Sequence, residues 1–226
     1  MMQRYLIYSF EDVIRSAEEK LTASLGASCH IRLRNSLSIG AIQAIQRIES
    51  TAFRPELRYT TDELIERGLR KDFFLLLVHT RDRPVAFMYG YRDPVDLSFY
   101  LDTVATSIEG RGVGSTLIGL TLLHCLEAGF EDVTLRTEER DEKGRTLRRF
   151  YEKLGFGVYP HDPKEGIAMR KRIEWRDILT ITERTLVEDR SRRSEVMVQS
   201  SFHLPSIQQQ DQITLKPELL EPLRNQ

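Results

Sequence analysis

Apolar positions recur along this chain in two periods, and each change of period marks a new element. From Phe10 to Leu25 the spacing is helical, and Ile39 to Phe53 repeats it with Ile42, Ile45, Ile48 and Ala52 on one face. Between these helices, His30 to Arg34 reads as a short strand. Thr61 precedes Asp62-Glu63-Leu64-Ile65-Glu66, and its hydroxyl is placed to cap a third helix that ends near Gly68. Phe73 to His79 and Val85 to Tyr91 then flank Arg81-Asp82-Arg83-Pro84, which predicts a hairpin.

The second half alternates helices and strands. Leu97 to Val104 switches between apolar and more polar residues, as a half-buried strand does. Val113 to Ala128 places Leu117, Ile118, Leu120, Leu123 and Leu126 on one helical face, and Gly129 is positioned to end that helix. A strand at Val133 to Thr137, a short helix around Tyr151, and strands at Phe156 to Tyr159 and Ile167 to Ile173 follow. Beyond Ile173 the character changes. Trp175 to Val187 predicts one more helix, while 200–226 carries Gln208-Gln209-Gln210, scattered prolines and no sustained period. Phe202, Leu204, Ile207, Ile213 and Leu215 argue against a purely solvated tail, so it is expected to dock on the domain or on a second subunit of a homodimer. The organisation expected is a helical extension at 1–28, one domain at 29–173 and a C-terminal extension at 174–226.

Composition removes some functions. A formal net charge of -1 gives no general pull toward nucleic acid or a membrane surface. The clusters Arg145-Thr146-Leu147-Arg148-Arg149 and Arg190-Ser191-Arg192-Arg193 lack interleaved aromatics, so nucleic-acid binding is not expected. Cys29 and Cys125 are far apart and the histidines show no ligand spacing, so no metal is expected. No stretch has transmembrane length, and Met1 to Phe10 lacks the long apolar run of a signal peptide, which makes a cytoplasmic location the expectation.

The chemistry concentrates in Glu109-Gly110-Arg111-Gly112-Val113-Gly114-Ser115, set between a strand and a helix. Glycines at alternate positions leave the backbone uncovered, so successive N–H groups can turn toward an anion where the helix dipole begins. No lysine follows the last glycine, which excludes a Walker A loop, and the third glycine of a dinucleotide fingerprint is missing. A tight turn with no ligand is the other account of these residues.

A second motif supports the ligand-binding account. Arg148-Arg149-Phe150-Tyr151-Glu152-Lys153-Leu154-Gly155-Phe156 is a short helix closed by glycine and running into an aromatic strand. In order and spacing the two motifs resemble those of the GNAT superfamily of acetyl-CoA-dependent N-acetyltransferases, Q/R-x-x-G-x-G/A followed downstream by F-Y-x-K-x-G-F. The resemblance covers roughly residues 29 to 173. It implies an α/β fold with a central mixed, mostly antiparallel sheet, a splayed strand pair and flanking helices.

The same resemblance implies roles for individual residues. Backbone amides of Gly110, Arg111, Gly112, Val113, Gly114 and Ser115 would bind the pyrophosphate of acetyl-CoA, the acyl donor. The backbone around Thr103 and Val104 would hold the pantetheine arm, with Ala105 taking that place if the strand bulges. Tyr151 would protonate the departing thiolate; a residue covering the helix-to-strand junction is the structural alternative for it. For the base that deprotonates the amine acceptor, Glu138, Glu139, Asp102 and Glu49 are candidates, and Glu139 is preferred for its place at the end of a strand. Arg54 and Arg58 suggest an acidic acceptor. Two departures stand out: Glu109 occupies the family's Gln or Arg position, where it should repel phosphate unless it turns to solvent or pairs with Arg111, and no Asn precedes the tyrosine helix at a consistent spacing, with Asp141 and Gly144 found by different counts. The function implied is direct acetyl transfer to a primary amine of a small molecule or peptide; a non-catalytic acyl-CoA-binding module on the same fold is the alternative.

Overall fold

A computed structural model of the protein describes residues 9–160 and 166–174, apart from 82 and 142. Seven strands form one sheet in the order β1-β2-β3-β4-β5-β7-β6: β1 (Cys29–Arg34), β2 (Phe74–Thr80), β3 (Arg83–Arg92), β4 (Phe99–Thr106), β5 (Asp132–Thr137), β6 (Gly157–Val158) and β7 (Ile167–Arg172). Every neighbouring pair is antiparallel except β4 with β5. The mixed, mostly antiparallel sheet flanked by helices is the architecture expected from the sequence.

Helices cover both faces. α1 (Phe10–Leu25) and α4 (Val113–Glu127) bury Val13, Ala17, Leu21, Leu117, Ile118 and Leu120 against Leu76, Val78, Met88, Phe99, Leu101 and Leu135. On the opposite face, α2 (Ile39–Ala52) and α3 (Thr61–Gly68) bury Ile42, Ile45, Ile48 and Leu64 against Leu75, Leu77, Phe87, Tyr89 and Tyr91. Consecutive residues of β2 thus point into different cores, which is why Phe74-Leu75-Leu76-Leu77-Val78 is apolar without alternation. Because α1 shares its core with the sheet and α4, it is an integral layer of the domain.

Local differences from the sequence expectation have physical causes. α3 is capped by Thr60, not Thr61: the Thr60 hydroxyl accepts from Glu63 N–H, and the Glu63 carboxylate accepts from Thr60 N–H in return. Two threonines in tandem offer two caps, and the reciprocal box with Glu63 selects the first. Leu97 lies outside β4, in the left-handed region at φ 60°, where Asx turns of Asp93 and Asp96 shape the β3–β4 connection. α4 is buried nearly all round rather than on one face, including Gly119, Thr121, Leu122 and Cys125. The helix expected at 175–187 and the tail after it lie outside the described residues.

β4 carries a bulge. Tyr89 pairs with Thr103 and the next residue, Gly90, pairs with Leu101, so Asp102 is the extra residue. Gly90 has no room for a side chain: an added Cβ would lie 2.4 Å from the Tyr100 carbonyl oxygen and 2.5 Å from the Phe99 ring.

Candidate active site

Two features of the backbone converge at the C-terminal end of β4. The first is a parting of strands. β4 and β5 pair only at Phe99 with Val133, Tyr100 with Thr134 and Leu101 with Leu135. Past that point β4 continues to Thr106 without β5, while Arg136 and Thr137 of β5 pair with β7. The β4 edge that faces β5 is therefore open at Thr103, Val104 and Ala105, where an extended polar chain can pair with its backbone.

The second feature is the start of α4. α1, α2 and α3 are each capped by a hydroxyl, from Ser9, Ser38 and Thr60. α4 instead begins at Gly112, which has φ 78° and no side chain to offer. Gly110 is likewise left-handed at φ 70°. The first helical N–H to find a carbonyl is that of Thr116, bonded to Gly112 O at 3.0 Å. Helix geometry leaves the N–H groups of Val113, Gly114 and Ser115 without intrahelical partners, pointing out of the positive end of a long helix. The turn is fixed by its neighbours: Ser24 at the end of α1 donates to Arg111 O at 3.1 Å, and Ser115 Oγ donates to Gly112 O at 2.8 Å.

The second sequence motif meets the first. α5 (Leu147–Glu152) lies over the start of α4, so that a Cβ at Gly114 would be 3.7 Å from Phe150 Cζ. Tyr151, the next residue, is buried, with its ring edge-on to Phe150 and Phe156 at centroid distances of 5.1 and 5.9 Å. Among the described residues its hydroxyl has no hydrogen-bond partner, and burial raises its pKa well above the ordinary range for tyrosine.

Glu109 is paired, though not with Arg111. Its carboxylate accepts from Lys143 Nζ at 2.6 Å and from Arg145, both on the loop between β5 and α5. The Lys143 hydrogen bond and the two cations hold its pKa below the usual carboxylate value. In the same loop Asp141 accepts from the backbone N–H groups of Lys143 and Arg145 and from Arg145 Nε, and shapes a turn that ends at left-handed Gly144. Glu139, at the start of this loop, is exposed and lies 3.9 Å from Arg148. Glu138 pairs with Arg54 at 2.9 Å, and Arg58 donates to the carbonyls of Phe53 and Ser50 at the end of α2. The two arginines thus hold the α2–α3 connection in place.

Asp102 and Glu49 were separate base candidates in the sequence, but the polar nest that joins them behind the open edge was not anticipated. The bulge turns both Asp102 and Thr103 toward the α2–α3 face. Asp102 Oδ2 accepts from Tyr91 OH at 2.6 Å and Arg67 Nε at 3.1 Å, and Oδ1 accepts from Tyr59 OH at 3.2 Å and Thr103 Oγ1 at 2.9 Å. The Arg67 guanidinium lies over the Tyr59 ring, 3.8 Å from its centroid. Glu49, on the last turn of α2, is only 1% exposed and accepts from Tyr59 N–H at 3.3 Å. Burial, reinforced by the Asp102 charge, pushes its carboxyl up to about 7.

Comparison with known proteins identifies the class to which this arrangement, a mixed sheet that parts beside a glycine-started helix, belongs. Residues 34–144 match the family model described as an acetyltransferase (GNAT) domain. Among solved structures, the chain resembles an aminoglycoside 6'-acetyltransferase type Ii (TM-score 0.54, 16% identity, covering 64% of this chain and 97% of that one). It also resembles an acyl-CoA N-acyltransferase from Pseudomonas aeruginosa (0.52, 19%, 64% and 99%) and the ribosomal-protein-S18-alanine N-acetyltransferase from Escherichia coli (0.50, 17%, 64% and 94%). No curated protein sequence matches. Residues 34–144 thus form a GNAT acetyltransferase domain, of the superfamily expected from the two motifs.

Proposed function

We propose that the protein is an N-acetyltransferase that passes the acetyl group of acetyl-CoA directly to a primary amine of a small molecule or peptide. The observation that carries this reading is the adjacency of the uncapped α4 start and the open β4 edge. Amides of Gly110 to Ser115 hold the pyrophosphate, and the backbone at Thr103 and Val104 pairs with the pantetheine arm. That pairing points the thioester, which supplies the activated acetyl group, along the open edge toward the polar nest.

The protein's own groups complete the chemistry. A backbone N–H on the β4 edge donates to the carbonyl oxygen as it gains charge. The amine nitrogen forms a bond to the carbonyl carbon and the carbon–sulfur bond breaks. Tyr151, kept protonated by its burial, gives a proton to the departing sulfur. Glu139, expected from the sequence as base, sits exposed beside Arg148, and Glu139→Gln tests that role.

A thiol-release assay on acetyl-CoA with a panel of primary amines and free peptide N-termini tests the reading. Release that depends on the amine, and that Tyr151→Phe lowers without changing acetyl-CoA affinity, supports it. Binding of acetyl-CoA with no release across the panel favours the non-catalytic acyl-CoA-binding module.

A further inference from the structure

Two carboxylates from distant parts of the chain are buried in one nest, and they are not equally served. Asp102 is fully satisfied by its four donors, Tyr91, Arg67, Tyr59 and Thr103. Glu49 receives only the Tyr59 amide, on Oε2. Its other oxygen, Oε1, is sealed from solvent and has no partner among the described residues. Leaving such an atom unpaired is costly, and the packing does not call for it: an apolar side chain beside Ile45 and Ile48 would be the stable choice.

The donors that act on Glu49 are already committed. Tyr59 spans the pair, with its amide on Glu49 and its hydroxyl on Asp102. Arg67 is held by Asp102, and Arg58 by the carbonyls at the end of α2. What Oε1 lacks among the described residues is a donor, best a cationic one, and the tyrosines at 59, 91 and 100 that share its apolar cluster offer ring faces suited to a compact cation.

We propose that Glu49 Oε1 receives the primary ammonium group of the acceptor and takes its proton. This rests on the acetyltransferase reading above and names the acceptor class, a cationic primary amine rather than an acidic one. The ammonium gives one proton to Oε1, which frees the nitrogen lone pair to attack the thioester carbonyl. The C–N bond forms, the C–S bond breaks, sulfur takes the Tyr151 proton, and the second proton lost by nitrogen leaves to solvent. The carboxyl titrates near neutrality, so it is poised to accept a proton there: burial and Asp102 raise it, while the Tyr59 amide, Arg58 and Arg67 oppose them. The hydroxyls of Tyr89, Tyr91 and Tyr100, which surround Asp102, stay protonated across this range.

The test uses the full chain with glutamate side-chain carboxyls labelled with carbon-13 and Glu49 assigned from the Glu49→Gln spectrum. Butylamine, 2-phenylethylamine and a tripeptide with a free N-terminus are the probes, with 1-butanol as control, each with and without acetyl-CoA. At least one amine should move the Glu49 signal and lower its titration midpoint, while butanol should not. For the amine turned over best, Glu49→Gln should lower kcat/KM about 100-fold and abolish the limb near pH 7, with partial recovery in Glu49→Asp and unchanged acetyl-CoA affinity. If no amine perturbs Glu49, or if Glu49→Gln keeps both rate and pH limb, the proposal is overturned. A Glu49 response in a protein that does not bind acetyl-CoA would overturn the function reading alone.

Discussion

The backbone N–H of Tyr59 donates to Glu49 Oε2 at 3.3 Å, and among the described residues this is the one hydrogen bond to a carboxylate that is 1% exposed. Such a group makes the fold less stable wherever it is ionised. With a folded pKa of about 7 against an ordinary value of 4.5, the folded state holds the extra proton between these limits, so stability falls as pH rises through that window. Glu49→Gln should match the wild type in thermal unfolding at pH 5 and exceed it at pH 8, by at most about 3 kcal/mol.

His124 makes the opposite prediction. Its ring stacks on Phe74 at 3.8 Å and 6°, inside the α1–α4 core, and burial lowers its pKa to about 4 despite the nearby Asp72. The unfolded chain then binds the extra proton between pH 4 and the ordinary 6.5. The stability His124 allows is complete above that window and is lost as pH falls through it. In urea unfolding at pH 7 and pH 5, His124→Phe should lose less stability on acidification than the wild type.

The glycines of the cradle should separate by conformation. Gly112→Ala must place a side chain at φ 78°, costing about 1 kcal/mol of stability, and should weaken acetyl-CoA binding. Gly114 is helical, and an alanine Cβ there would make an ordinary 3.7 Å contact with Phe150, so Gly114→Ala should fold at least as stably as the wild type. Thermal melts and acetyl-CoA titration of the two variants check this.

Glu109 is held by Lys143 and Arg145 beside the cradle. Glu109→Gln removes a negative charge near the pyrophosphate and frees both cations. Acetyl-CoA affinity should rise several-fold at low salt, and the gain should shrink at 0.5 M sodium chloride, about where screening shortens to a few ångströms. An affinity that falls would mean that Glu109 serves binding by fixing the loop.

What the sequence revealed was local. The bounds of α1 follow from period and caps, with Ser9 and Asp12 boxing its start and left-handed Gly26 ending it. The turn at Gly110 to Gly114 and the Phe150-Tyr151 motif were legible because each encodes its own backbone geometry. What escaped depends on contacts between distant residues. Glu109 was expected to meet Arg111 or solvent, but its partners lie 34 and 36 residues away. The nest around Asp102 joins residues from α2, α3, β3 and β4, and it exists because a bulge turns Asp102 and Thr103 to one side, a shift of register that alternation along one strand cannot reveal. The extra Gly90-to-Tyr100 closeness that goes with the bulge left one clue, a glycine between two tyrosines of a strand.

The most direct test of the central claim is isothermal titration of the protein with acetyl-CoA and with CoA. The account predicts one site per chain for each ligand, with heat strongly reduced in Gly112→Ala. Absence of binding by either ligand at about 1 mM, in a protein whose cooperative unfolding shows it to be folded, would contradict it.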